Sequence, residues 1–201
     1  MKFQNLARLG LFTYLTGYSF SAWAVRVSAI GHLGYENIRF SKDYNLGGVG
    51  FGGSIEAQAI DITAGTDLIL GGRMNYYSVS GKVNDVDASF SQFIFGPYVG
   101  VGVNATPKFT ISSTLGYDFG LSGKSSIKSG SVEVSKDTKS YGSVVNEWKG
   151  LFQVNARVAA GLGLVWHAGS VEIPVTLNPV NATYIADFRG FAMRAMVGYT
   201  F

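Results

Sequence analysis

Cysteine is absent from this chain, which excludes a disulfide framework and any thiolate-ligated metal site, though not export. Histidine is scarce: only His32 and His167 occur. No HExxH pair, GxSxG elbow or Walker-type loop is present, so the usual sequence marks of metalloprotease, hydrolase and nucleotide chemistry are missing and no cofactor is implied. Charge is sparse at 14% of residues, and no acid precedes Glu36. Beyond residue 24 no continuous apolar run reaches the roughly 18 residues a transmembrane helix needs. A membrane protein built from this chain must therefore cross with strands closed into a cylinder, because an open sheet edge cannot be satisfied in hydrocarbon.

What the chain does hold is glycine and aromatics: 27 Gly, 14 Phe and 11 Tyr among 201 residues. Its first 24 residues carry two charges, Lys2 and Arg8, then an apolar stretch from Leu9 to Phe20, then Ala22-Trp23-Ala24. That order reads as a secretory signal peptide with an A-x-A cleavage site. Thr13, Thr16, Gly17 and Ser19 make the stretch too short and polar to span a bilayer. Cleavage leaves residues 25–201 as one domain with 14 of the 16 basic residues against 13 acids. The basic pI then argues for no nucleic-acid partner.

The mature part alternates with a period of two. Phe109, Ile111, Ser113, Leu115, Tyr117, Phe119 and Leu121 form one face of a run whose other face is Thr110, Ser112, Thr114, Gly116, Asp118 and Gly120. Eight such runs are expected, over 25–36, 49–60, 66–78, 90–103, 109–121, 147–162, 170–178 and 188–201. Most last about 10 residues or more, enough to cross a bilayer at a tilt, whereas soluble strands average about 5–6. The polar faces are small residues with isolated charges, which suit a narrow lumen better than a solvated face. Connections at 37–48, 79–89, 122–146 and 179–187 are long and polar, while 61–65, 104–108 and 163–169 are short. Short periplasmic turns alternating with long external loops mark an outer-membrane barrel. The fold expected is all-β: an eight-stranded antiparallel up-and-down transmembrane barrel in the outer membrane of a Gram-negative bacterium.

The final residues, Phe191 to Phe201, resemble the closing strand of bacterial outer-membrane barrels, with Met193, Ala195, Val197, Tyr199 and Phe201 at alternating positions and an aromatic last. The resemblance implies that Tyr199 and Phe201 belong to the signal read by the barrel-assembly machinery. In size and hairpin layout, with Gly96-Pro97-Tyr98-Val99-Gly100 and Leu115-Gly116-Tyr117-Asp118, the mature chain resembles the small barrels related to the OmpA membrane domain, OmpX/Ail and the opacity proteins. No peptidoglycan-binding domain is expected after Phe201.

Turning the polar faces inward places Arg26, Glu56, Arg73, Asp118, Arg157, Glu172 and Arg194 in the lumen, where charges must be paired. A structural network that plugs the barrel is the reading preferred over a gated ion path, since eight strands enclose room for side chains and little else. His32 is placed in the lumen and His167 in a periplasmic turn, on the wrong side for lipid A chemistry, and no base is evident beside a nucleophile. The glycine clusters precede no helix and are not phosphate loops. Outward aromatics form two expected girdles, with Tyr35, Phe93, Phe119, Trp148 and Phe191 near the loops and Phe109, Tyr199 and Phe201 at the other end. The longest external segment carries Lys124, Lys128, Lys136 and Lys139. It reads as a solvated hairpin, or as a contact for lipopolysaccharide phosphates or a host or phage component. The expectation is a monomeric barrel that displays surface loops, serving envelope integrity or adhesion. The alternatives are a narrow channel and a lipid A-modifying enzyme.

Overall fold

The computed structural model describes residues 25–40, 44–63, 65–83, 86–177 and 180–201. The signal segment 1–24, with its A-x-A site, lies outside the described residues. The described chain is strand joined by tight turns: β1 (Val25–Phe40), β2 (Tyr44–Thr63), β3 (Thr66–Val83), β4 (Val86–Thr106), β5 (Phe109–Ser129), β6 (Val132–Asp137), β7 (Ser140–Gln153), β8 (Val158–Leu177) and β9 (Val180–Thr200). Every pairing is antiparallel, and all join sequence neighbours except β5 with β7 and β1 with β9; β5 also pairs with β6. The seam is closed by β1 against β9, from Ser28↔Thr200 to Phe40↔Phe188. Strands β6 and β7 are one stave broken at Thr138–Lys139, so the ring has eight staves.

Alternation decides which side chains face where. Leu115 is 54% exposed, Leu162 68% and Val197 61%, all on the outer wall, while Glu56, Arg73 and Asp118 are buried inside. A soluble protein would bear a severe penalty for such a surface; a lipid-facing one does not. Outward rings form a belt around the upper wall, with Phe51 against Tyr76 at 5.4 Å, Tyr117 against Phe119 at 4.8 Å and Trp166 against Phe191 at 5.4 Å. Phe109, Phe152, Tyr199 and Phe201 mark the lower rim. From Phe109 to Phe119 a strand rises roughly 33 Å along its own axis, or about 25 Å once tilted, the height of an outer-membrane apolar band. Trp148, expected near the loops, pairs with Ser113 in the lower half of the wall.

Two boundaries depart from the sequence reading. The alternating run expected over 147–162 is cut by a turn at 154–157, and the expected turn at 163–169 is the middle of β8. Asn155 makes the turn: its Oδ1 accepts from the backbone N–H groups of Arg157 and Val158, both at 2.9 Å. Val154 and Ala156 continue the apolar rhythm through it and hide it. Because side-chain period is two, the displaced boundary inverted the faces beyond it. Val171 and Ile173, expected outward, point into the barrel, and Val171 is fully buried. Pro174 then stands on the edge of β8 that faces no paired strand, where a missing N–H costs nothing.

The second departure concerns loop length. The segments expected as long external loops are mostly strand continuing past the membrane: β4 runs to Val86 and β5 to Ser129. A register shift opposite Phe93 and Ile94 leaves Leu121 unpaired in β5. This bulge flips the parity of the stave above it, so that Ser125 and Ile127 turn toward the barrel axis. Gly130, at φ +57°, closes the β5–β6 hairpin, and the hairpin foreseen from the alternation of Val132 and Val134 is present. Among the described residues β6 pairs with β5 alone, and β8 above Glu172 pairs with β9 alone, so the wall is unsealed there.

Candidate functional site

The lumen is filled in layers. Near the end that holds both strand termini, Val25 and Thr200, Ser28 and Thr200 share a hydrogen bond of 3.0 Å across the seam, and Asn104 Nδ2 donates to Asp67 at 3.3 Å. At mid-height, seven charges from six staves converge. Arg73 Nε donates to Asp118 Oδ1 at 2.8 Å, and Arg194 Nη2 donates to Glu36 Oε1 at 2.9 Å. Glu147 lies between the two guanidiniums, 3.8 Å from Arg73 Nη1 and 3.9 Å from Arg194 Nη1. Below them Lys149 pairs with Glu56, which also accepts from the Tyr98 hydroxyl at 2.8 Å. The Tyr98 ring carries Arg73 at 5.4 Å and Lys149 at 5.6 Å from its centroid, a cation–π clamp from both ions. Three cations thus meet four carboxylates in a space closed to bulk water. Each ion there carries a desolvation cost of several kcal/mol, which only dense pairing offsets.

Above the charges the interior changes character. His167 meets the rings of Tyr77 at 6.3 Å and Phe188 at 5.7 Å, and Tyr141 stacks on Phe188 at 5.1 Å. Gly190 makes that possible, because a Cβ at this position would fall onto the His167 ring. The stack continues into an apolar layer of Ile38, Leu46, Val79, Phe90, Ile94, Val171 and Ala186. The barrel is thus polar in the middle and apolar at its outer mouth.

No family model and no curated protein matches the chain. Solved structures do match in shape. Neisserial surface protein A aligns with TM-score 0.56 at 12% identity, over 87% of this chain and 97% of that one. OprG from Pseudomonas aeruginosa gives 0.51 at 9% identity, over 88% and 95%. AlkL, solved in lipid bilayers, gives 0.51 at 10% identity, over 88% and 90%. The fold is that of the small outer-membrane β-barrels. At these identities the likeness is one of fold, and it agrees with the resemblance carried by the closing strand and hairpin layout.

Within this barrel the seven expected lumen residues divide. Glu56, Arg73, Asp118 and Arg194 meet in the network. Arg26 is exposed at the start of β1. Arg157 stands exposed in the 154–157 turn, its Nη1 donating to the Tyr199 hydroxyl at 3.2 Å. Glu172 pairs with outward-facing Ile185 and so belongs to the outer side of β8, above the belt. Both Arg157 and Glu172 were misplaced by the same displaced boundary. Glu36, Glu147 and Lys149 complete the network although sequence reading did not select them. Glu36 and Glu147 sat at the ends of the expected runs, and Lys149 lay inside the run expected over 147–162. The usable signal was parity: each lies an even number of residues from a residue now seen inside its own strand.

His32 is on the inward face of β1, and His167 is inside the barrel rather than in a turn. At the outer end Lys124, Lys128 and Lys139 are exposed, Lys136 half-buried, on the hairpin and the stave break. Lys124 lies opposite Asp137 and Lys128 opposite Glu133. At the lower end Phe201 is 79% exposed, its backbone N–H donating to Val27 at 3.0 Å across the seam, and its ring lies 5.3 Å from Tyr199.

Proposed function

We propose that this barrel, freed of residues 1–24, resides in the outer membrane as a monomeric, non-conducting and non-enzymatic scaffold that holds the β5–β6 hairpin at the cell surface. The observation that carries the reading is the interior: a paired charge layer under an apolar layer leaves no aqueous thread through the middle. Lys124, Lys128, Lys136 and Lys139 give the hairpin its contact chemistry. Their ammonium groups suit lipopolysaccharide phosphates or an anionic component of a host or phage surface. Tyr199 and Phe201, outward at the periplasmic rim, suit recognition by the barrel-assembly machinery before the seam closes. His32 and His167 serve packing in this reading, since His167 is walled in by rings rather than set beside a nucleophile.

Planar-bilayer recording of the refolded protein tests the central claim, and flat current traces are the expected result. Reproducible unitary steps would replace the scaffold reading by that of a narrow channel. The surface role is tested by substituting the four lysines with serine and measuring binding to lipopolysaccharide vesicles. The substituted barrel should fold normally and bind more weakly, most clearly at low salt.

A further inference from the structure

The outer mouth holds a cavity of about 700 Å³, within the size range of small-molecule sites. Its floor is the apolar layer, reached through Phe40, Leu46, Phe90, Ala88 and Ile173; its rim carries the hydroxyls of Tyr44 and Ser125. Among the described lining residues the single acid is Asp187, which alternates with buried Ala186 and Phe188 and so faces the outer side, and there is no lysine, arginine or histidine. The bulge at Leu121 contributes directly, since it turns Ile127, 55% exposed, toward the mouth. Tyr184, 62% exposed, stands on the same wall. These apolar groups lie above the aromatic belt, where membrane hydrocarbon does not reach to cover them. Below the belt, exposed Leu115 and Leu162 are accounted for by lipid; above it, no such account exists.

We infer that this mouth is a binding site for an uncharged, mainly apolar small molecule bearing one or two hydroxyl or carbonyl groups. The apolar floor supplies the driving force by removing hydrocarbon from water. The hydroxyls of Tyr44 and Ser125 orient a neutral head, and among the described lining residues no charged side chain faces inward to pair with an ionic one. The unsealed wall between β6 and the end of β8 gives a way in from the side. The site ends at the apolar layer, so it takes up a ligand without passing it through the charged middle.

The test uses the protein in lipid nanodiscs, because detergent chains would compete. A photoactivatable diazirine analogue of decan-1-ol is the probe, with its attachment sites mapped by mass spectrometry. Labelling is expected on the strand ends that carry Phe40, Phe90 and Ile173, and excess decan-1-ol should suppress it about tenfold, as competition for a discrete pocket requires. Labelling of the lipid face around Leu115 and Leu162 should persist as the internal reference. Ala88→Trp, which fills the cavity, should cut mouth labelling by a similar factor while leaving the heat-dependent gel shift in place. Ser125→Trp, on the exposed hairpin, serves the same purpose if Ala88→Trp does not fold. An unlabelled mouth, labelling that excess decanol does not suppress, or labelling indifferent to the filling substitutions would each overturn the site. A mouth occupied by the chain itself or by a second copy gives the first of these results. Conductance plays no part in the readout, so failure here is separable from failure of the non-conducting scaffold.

Discussion

Arg73 shows how much depends on single side chains inside this barrel. It is 2% exposed, holds Asp118 and approaches Glu147. Arg73→Met would strand a buried carboxylate, a change that costs about 3–5 kcal/mol when a buried pair loses one partner. The urea midpoint of the variant in lipid should fall accordingly. Arg73→Met combined with Asp118→Leu should recover much of the loss, because no unpaired ion then remains. Gly190 and His167 form a steric pair of the same kind. Gly190→Ala should lower the temperature at which the compact gel band converts to the slow one, and adding His167→Ala should restore part of it. A non-additive cycle of that sign would show that the two positions share one space. At this scale sequence reading was strong where parity was secure, as for Glu56, Arg73, Asp118 and Arg194, and failed at Arg157 and Glu172, where parity had slipped.

Strands and turns carry their own consequences. Asn155 Oδ1 accepts two backbone hydrogen bonds in the β7–β8 turn, so Asn155→Ala should destabilise the barrel by about 1 kcal/mol. Its effect should be seen mainly in the rate at which the β7–β8 hairpin forms during refolding. The lipid face answers to depth: Leu115→Arg sits near the middle of the apolar band and should cost about 2–4 kcal/mol, as cationic residues do at the bilayer midplane. The same residue type at Ile185, outward-facing and above the belt, should cost far less; comparing their urea midpoints in vesicles checks the membrane's position directly. Most strands were readable from alternation. The turn at 154–157 was not, because Val154 and Ala156 preserve the rhythm while one asparagine breaks the chain's direction. Nor was the bulge at Leu121, since an extra residue in a strand alters no composition.

The whole molecule is a cylinder greasy outside, ionic in the middle and apolar again at its outer mouth. Sealing should therefore withstand loss of one layer. Removing the charge layer piecemeal with Glu147→Gln should leave bilayer recordings silent, because the apolar layer above it still closes the path. Combining Glu147→Gln with Phe188→Ala and Tyr141→Ala, which thins that layer, should raise the frequency of brief openings if the two layers act in series. Recordings of the single and triple variants check both statements. The outer mouth was the part of the molecule least visible in advance. Its apolar residues come from the ends of staves scattered between Phe40 and Ala186, and each looked in isolation like the fringe of a polar loop.

The sequence by itself determined the class of this protein: a period of two with runs long enough to cross a bilayer, and faces that differ in kind, permit a closed lipid-exposed barrel and little else. Only the tertiary structure decided which charges meet, where the β7–β8 turn falls and that the mouth is apolar. Alternation says which side of its own strand a residue occupies. It carries no information about stagger between strands, and stagger, set by ring closure and by bulges such as that at Leu121, is what brings distant side chains to the same height.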